Sequence, residues 1–300
     1  MNTTPSSRAL VLHGGGSAGN AWEIGVVAGL FDGGVDVRTA DVIIGTSAGA
    51  TAAAQITSAD PAELLASILD AVPPQQGAGR PSGGARPGGP VGPPANQLDR
   101  TSQIIAESSD AVDMRRRMGA GALELEAESD GSWSTQWRAT AASRLPSQDW
   151  PKQRVLVTAV DARTGEGVVF DRTTGVTLSD AIAASTSSGL PYSIGDDRYI
   201  DGGYRRNENA DLAAGYDRVL VLSPFGGRTR HPLEWGMQLA AQVEELRAGG
   251  SMVETIFPDA DALAAFGDNM MNLAARVPAA RAGFAQGQQL APELSSFWGR

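Results

Sequence analysis

The sequence predicts an α/β protein, a largely parallel sheet with helices over both faces. Three observations lead there. Apolar runs of five to seven residues recur at 9–13, 41–45, 154–160 and 217–222, the pattern of buried parallel strands. Segments with helical spacing or capping residues separate them. Glycine clusters stand where the first two runs end, at Gly14-Gly15-Gly16 and Gly45-Thr46-Ser47-Ala48-Gly49. Strands alternating with helices in this way imply a sheet covered on both sides.

Ala9-Leu10-Val11-Leu12-His13 is the first strand. From Gly19, residues Trp22, Val26 and Gly29-Leu30 recur at helical spacing until Asp32-Gly33-Gly34 stops the helix. Asp41 to Gly45 forms the second strand, and a small-residue helix runs from Ser47 to Thr57. Asp60-Pro61 pairs an N-cap with a proline at the first helical position and starts a helix reaching Val72. Fourteen of the 22 residues from Pro73 to Pro94 are Gly or Pro. That composition buries too little surface to offset the entropy of ordering, so a loop interrupting one domain is expected. Gln97 to Met118 and Trp133 to Leu145 read as helices joined by an acidic stretch. Arg154 to Val160 is a strand, with a second after the Thr164-Gly165 turn at Gly167-Val168-Val169-Phe170. Ser179 is expected to cap a helix through Ala184, and Arg198 to Gly203 reads as a short strand and turn. After the strand from Asp217 to Leu222 the pattern turns helical, with a stripe of Trp235, Leu239, Val243 and Leu246 and a further helix from Arg276 to Gln289.

Composition narrows the function classes. Net charge is −10, from 34 acidic and 24 basic side chains in 300 residues, which repels nucleic acid and predicts no nucleic-acid partner. Met114-Arg115-Arg116-Arg117-Met118 is the one short basic patch, read as the solvated end of a helix. The absence of cysteine excludes disulfides, thiolate metal sites and cysteine nucleophiles, and fits a reducing cytoplasm. No signal-peptide pattern opens the chain, and no apolar run approaches the ~20 residues of a membrane-spanning helix. A soluble, cytoplasmic protein is expected.

Gly45-Thr46-Ser47-Ala48-Gly49 follows a buried strand and precedes a helix, the setting in which G-x-S-x-G forms a nucleophile elbow. A tight strand-to-helix turn strains the serine, and flanking glycines remove Cβ atoms that would clash. The hydroxyl then stands near a helix N-terminus, whose partial positive charge favours developing negative charge. A tight turn with a capping serine is the plainer alternative. Gly14-Gly15-Gly16-Ser17-Ala18-Gly19 satisfies G-x-G-x-x-G, which a dinucleotide site also uses. The acidic residue such a site needs at the end of the next strand is missing, since Asp36 precedes that strand. Two other readings remain: backbone N–H groups of Gly14, Gly15, Gly16 and Ser17 forming an oxyanion hole, or a close turn that binds nothing.

A serine nucleophile needs a base. The chain offers His13 beside the glycine loop, His231 in what reads as an exposed loop, and Asp201 in Tyr199-Ile200-Asp201-Gly202-Gly203. An unperturbed carboxylate, with a pKa of ~3.9, is a poor base for a hydroxyl. Partial burial would raise that value, and a good oxyanion hole would lower the demand on the base. Asp-Gly is also ordinary turn chemistry.

In order, strand–GGGSAG–helix, strand–GTSAG–helix and a distant DGG resemble the patatin-like phospholipase family over most of residues 9 to 225. Gly25-Val26-Val27-Ala28-Gly29-Leu30, Gly49-Ala50 and Asp211-Leu212-Ala213-Ala214-Gly215 extend the match. The resemblance implies a three-layer α/β/α fold with a mostly parallel central sheet, and a Ser–Asp dyad that cleaves acyl esters of lipids through an acyl-enzyme, with no metal or cofactor. Position by position it makes Ser47 the nucleophile within an elbow of Gly45, Thr46, Ala48 and Gly49. It makes Asp201 the proton acceptor on a turn with Gly202 and Gly203. The glycine loop becomes the oxyanion hole. A lipid or other acyl-ester substrate is the expected partner, with peripheral, transient membrane contact. Ala18 departs from the Arg or Lys of many relatives, and 184–191 follows the family's Ser/Pro pattern only loosely. The expected organisation is a catalytic domain over 8–225, carrying the Gly/Pro-rich insert at 73–97, and a helical extension over 226–300 on the same domain. The insert is a gate over the acyl pocket or an inert insertion. The helices at Gln97–Met118 and Trp235–Leu246 wall that pocket or simply fill the core. Rival readings are an α/β-hydrolase with a Ser-Asp-His triad through His231, and a silent module that binds lipid or nucleotide.

Overall fold

Alternation along each strand builds two cores from one sheet. In the computed structural model, which describes residues 6–71 and 97–299, Leu10, Leu12, Ile43, Val157, Leu220 and Leu222 face one side. Ala9, Val11, Val42, Ile44, Val219 and Val221 face the other. Each set needs a covering layer, and helices supply both. In chain order the elements are β1 (Arg8–Leu12), α1 (Gly16–Asp32), β2 (Val42–Gly45), α2 (Ala48–Ser58), α3 (Pro61–Leu69), α4 (Gln97–Glu107), α5 (Ala111–Ala127), α6 (Trp133–Ser143), β3 (Val155–Asp161), β4 (Gly167–Phe170), α7 (Leu178–Ser185), β5 (Tyr192–Ile194), β6 (Asp197–Asp201), β7 (Arg218–Leu222), α8 (Leu239–Ala248), β8 (Met252–Ile256), α9 (Ala260–Phe266) and α10 (Arg276–Trp298). The sheet runs β5-β6-β3-β2-β1-β7-β8, with β4 also on β3. Strands β3-β2-β1-β7-β8 pair in parallel, whereas β4, β5 and β6 pair antiparallel at the β3 side. The molecule is an α/β protein with a mostly parallel central sheet between helices.

One layer joins α1, α2, α3, α7 and α10 to the larger core. Helices α1 and α10 press together through small residues. A Cβ on Gly25 or Gly29 would stand 2.3 or 2.1 Å from a carbonyl oxygen of α10, and one on Gly283 or Gly287 would stand 2.4 Å from a carbonyl oxygen of α1. The opposite layer rests on α8, whose Leu239, Val243 and Leu246 fill the second core rather than walling a pocket.

Several elements differ from the sequence reading. The helix expected over Gln97–Met118 is two helices, because Asp110 accepts hydrogen bonds from Val112 and Asp113 N–H and starts α5 afresh. Met114 and Met118 are buried on α5 and Arg117 pairs with Asp113, so the basic patch lies within a helix that packs through its methionines and is not a solvated helix end. Thr177, not Ser179, caps α7 by accepting from Asp180 N–H. The tail expected to be helical over 226–300 also supplies an edge strand, β8, in register with β7. The insert at 73–97 and its gate reading lie outside the described residues up to 96. Among the described residues no helix is long and apolar enough to cross a membrane.

Candidate active site

Strand register gathers the site. Gly45 of β2 lies beside Val157 of β3, so Ser47, two residues on, reaches the level of Ala159. On the other side of β3 the antiparallel β6 sets Asp201 directly opposite Ala159. The two side chains meet over β3, and Ser47 Oγ donates to Asp201 Oδ2 at 2.7 Å.

The elbow has the steric form its glycines require. Ser47 sits at φ 53°, ψ −120° as N-cap of α2, a strained region for a side-chain-bearing residue. A Cβ on Gly49 would stand 2.2 Å from Leu12 O, and one on Gly45 would stand 2.5 Å from Ala50 Cα. Only glycines let the turn close this tightly. The serine backbone is held in turn, because its N–H donates to the buried Ser185 Oγ at 2.9 Å.

Asp201 is fixed at both ends. Its N–H donates to Ser187 O at 2.9 Å, and its Oδ1 accepts from Gly203 N–H at 2.8 Å. A Cβ on Gly202 would stand 2.3 Å from Thr158 O, so the turn lies flat on β3. Burial raises the Asp201 pKa to about 6, against the lowering pull of the Gly203 and Ser47 hydrogen bonds. The carboxylate thus becomes a better proton acceptor than a free aspartate while still ionising below neutrality.

Gly14 presses against Ser47: a Cβ there would lie 3.0 Å from Ser47 Cβ and 3.5 Å from Oγ. Gly15 and Gly16 begin α1 beside it, so two helix N-termini, those of α1 and α2, converge on the serine. Ala18 N–H is engaged by Met270 O at 2.9 Å and Gly19 N–H by Gly15 O at 2.9 Å. The N–H groups of Gly14, Gly15, Gly16 and Ser17 have no hydrogen-bond partner among the described residues.

Sequence reasoning missed the layer beneath. Asn209, wholly buried and at φ 57°, donates from Nδ2 to Thr46 Oγ1 at 2.9 Å, to Gly202 O at 3.0 Å and to Thr158 Oγ1 at 3.2 Å. Its Oδ1 accepts from Arg205 Nη1 at 2.7 Å, and Arg205 pairs with Asp211. One amide therefore ties the elbow, β3 and the aspartate turn together. Ser185 and Ser187 grip the two halves of the site from the end of α7. The serine-rich run at 185–188 was the visible signal; Asn209 gave none, because its role depends on three distant partners.

The histidines stand elsewhere. His13 is buried against Phe225, with ring centroids 5.7 Å apart, and burial lowers its pKa to about 3. His231 is half-buried rather than exposed; its Nδ1 contacts Thr229 Oγ1 at 3.2 Å, and burial lowers its pKa to about 4. Both Asp201 oxygens are occupied without either ring. Among the described residues no group of three or more His, Cys, Asp or Glu side chains could hold a metal ion. A small recess of about 10 Å³ lies beside the aspartate strand, between α4, α5, Ile200 and Tyr204, room for about one water. The larger hollow of about 480 Å³ is lined by charged residues at the α4–α5 turn and contains no residue of the site.

A family model described as patatin-like phospholipase matches residues 10–214. The chain belongs to the patatin-like phospholipase family. That match spans every residue described above around Ser47 and Asp201 except the Met270 contact. Among solved structures, VipD from Legionella pneumophila is similar at 14% identity and a TM-score of 0.43, covering 97% of this chain and 68% of that one. The type III effector protein ExoU is similar at 16% identity and a TM-score of 0.34, covering 95% of this chain and 54% of that one. No curated protein matches the chain.

Proposed function

We propose that this patatin-like protein is a lipid acyl-ester hydrolase working through a Ser47–Asp201 dyad. The observation that carries the reading is the direct Ser47 Oγ–Asp201 Oδ2 hydrogen bond of 2.7 Å, with no imidazole between them. Asp201 takes the hydroxyl proton as Ser47 Oγ bonds to the ester carbonyl carbon. The carbonyl oxygen becomes an oxyanion facing the N–H groups of Gly14, Gly15, Gly16 and Ser17, where each preorganised donor is worth about 2.7–4 kcal/mol. The carbon–oxygen bond to the alcohol then breaks, and protonated Asp201 returns its proton to that oxygen. An acyl group remains on Ser47. Water attacks it with Asp201 again as base, and the fatty acid leaves. Neither histidine touches the dyad, which favours this route over a Ser-Asp-His triad.

The test is turnover of p-nitrophenyl esters by wild type, Ser47→Ala, Asp201→Asn and His231→Ala, with a fluorophosphonate probe on each folded protein. Loss of at least a thousandfold is expected for the first two variants, near-wild-type rates for the third, and probe labelling of Ser47. A folded wild type that hydrolyses no ester and leaves Ser47 unlabelled would instead be a silent binding module.

A further inference from the structure

A stretch from the far end of the chain closes on the glycine loop. Residues 270–276 lie outside the family match of 10–214, yet they touch the loop at three points. Met270 O accepts from Ala18 N–H at 2.9 Å. A Cβ on Gly16 would stand 2.6 Å from Met271 Sδ. Arg276 Nη1 donates to Ser17 O at 3.1 Å and to Asn20 Oδ1 at 3.0 Å. The stretch is itself braced, because Asn269 Oδ1 accepts from Met271 N–H and Asn272 Oδ1 from Ala274 N–H, both at 3.0 Å.

Arg276 also fixes how the glycine loop meets the nucleophile helix. A guanidinium only donates, so the buried Asn20 turns Oδ1 towards it and Nδ2 away. That Nδ2 donates to Gln55 Oε1 at 3.0 Å and lies 3.5 Å from Ala48 O, the carbonyl of the residue after Ser47. Gln55 Nε2 in turn donates to the Arg144 carbonyl at 2.9 Å, a group that only accepts. With a pure donor at one end and a pure acceptor at the other, both amides are set one way round. They tie the start of α1 to α2.

The placing of the charge points the same way. Arg276 is the first residue of α10, and no acidic residue follows in that turn. A cation there meets the positive end of a helix dipole, a position that cations avoid. Ser17, which it grips, stands in the first turn of α1, another positive end. Arg276 belongs to no ion pair among the described residues, and both its acceptors are neutral. An oxyanion in the glycine loop offsets all three positive ends at once. As Asp201 takes the Ser47 proton, negative charge moves from the aspartate turn to the loop that Arg276 holds. The attraction is then stronger in the transition state than at rest, the condition for raising kcat.

We propose that Arg276 is a positioning residue of the oxyanion hole, holding the glycine loop against α2 and lending it positive charge. The proposal rests on the acyl-hydrolase reading and extends its site to the tail of the chain.

The test uses the full chain, p-nitrophenyl butyrate and an aliphatic trifluoromethyl ketone. With the ketone, Ser47 Oγ bonds to the carbonyl carbon, its proton passes to Asp201, and the ketone oxygen becomes the oxyanion with nothing leaving. Arg276→Gln should lower kcat about ten- to a hundredfold and change KM by less than about threefold. It should weaken ketone binding by the same factor as kcat/KM. Arg276→Lys, which keeps the charge and donors, should recover most of both losses. Arg281→Gln, at an exposed position of the same helix, makes the same change in net charge and should alter neither. Rates are taken per folded site, counted by fluorophosphonate titration to completion. A fall in kcat without loss of ketone affinity, equal losses in Arg281→Gln, or an unchanged enzyme overturns the proposal. Where Arg276→Gln does not fold, Asn20→Ser is read instead: ketone binding should weaken about threefold or more, and unchanged binding overturns the tie. A wild type that cleaves no ester removes the acyl-hydrolase reading, and amide hydrogen exchange then judges the clamp alone. Exchange at Ala18 and Gly19 should quicken about tenfold in Arg276→Gln; an unchanged rate overturns the clamp.

Discussion

At the scale of single residues, the chemistry turns on a carboxylate that is neither free nor permanently neutral. Asp201 titrates at about 6 because burial penalises its charge while two hydrogen bonds support it. It accepts the Ser47 proton only when ionised. The kcat/KM for a neutral ester should therefore be flat above pH 6 and fall tenfold per pH unit below it. The two histidines, held at about 3 and 4, leave that limb to the carboxylate. A profile that stays flat down to pH 4 would show that Asp201 is not the base. Ser47 adds a second residue-level feature: its positive φ costs roughly 1–3 kcal/mol, and the Ser185 and Asp201 hydrogen bonds hold it there. Residue types at these positions were legible in the sequence. Gly45, Gly49 and Gly202 announce backbone contacts closer than any Cβ allows, and the distances to Ala50, Leu12 and Thr158 give the reason.

Elements decide how firmly the dyad is held. The elbow comes from the parallel β2 and the aspartate from the antiparallel β6, and β3, Asn209 and the end of α7 each touch both. Asn209→Gly keeps the left-handed backbone, which glycine adopts freely, and removes only the amide. It should lower kcat by ten- to a hundredfold with KM changed less than threefold, and move the acidic limb of the pH profile as the Asp201 turn loosens. Equal effects on kcat and KM, with the limb unmoved, would mark a purely structural amide. Local signals explain which elements could be read. Asp60-Pro61 starts α3 as capping rules require, with Asp60 accepting from Ala62 N–H. The break between α4 and α5 was also present as Ser109-Asp110, a cap inside what looked like one helix. Strand β5 has only three residues, too few for a periodic signal. Strand β8 alternates between exposed and buried positions amid helices and takes its identity from pairing with β7.

Across the whole molecule, a second buried carboxylate links stability to pH. Burial lifts Glu208 from 4.5 to about 7; one oxygen accepts from Ser223 Oγ at 3.0 Å and the other has no partner among the described residues. The folded state keeps a proton that the unfolded chain releases above its own lower pKa. The associated stability is full below about pH 4.5 and is lost as pH rises through about 7. A shift of this size corresponds to roughly 3 kcal/mol. Glu208→Gln should therefore melt several degrees above wild type at pH 8.5 and converge with it near pH 4.5, followed by calorimetry; equal melting points at pH 8.5 would place the group in contact with solvent. Asp201 acts in the same sense over a lower window, from 3.8 to about 6.

The amino-acid order alone determined the alternation of strand and helix, the two glycine turns and the acidic turn that follows β6. Each is written in neighbouring residues, where apolar spacing, missing Cβ atoms and capping side chains act over a few positions. Tertiary structure decided that Ser47 meets Asp201 across 154 residues, that Asn209 bridges them, and that Arg276 returns from the tail to the first helix. Those meetings depend on strand order and register, and on a chain that reverses direction at β6, none of which any local stretch of sequence encodes.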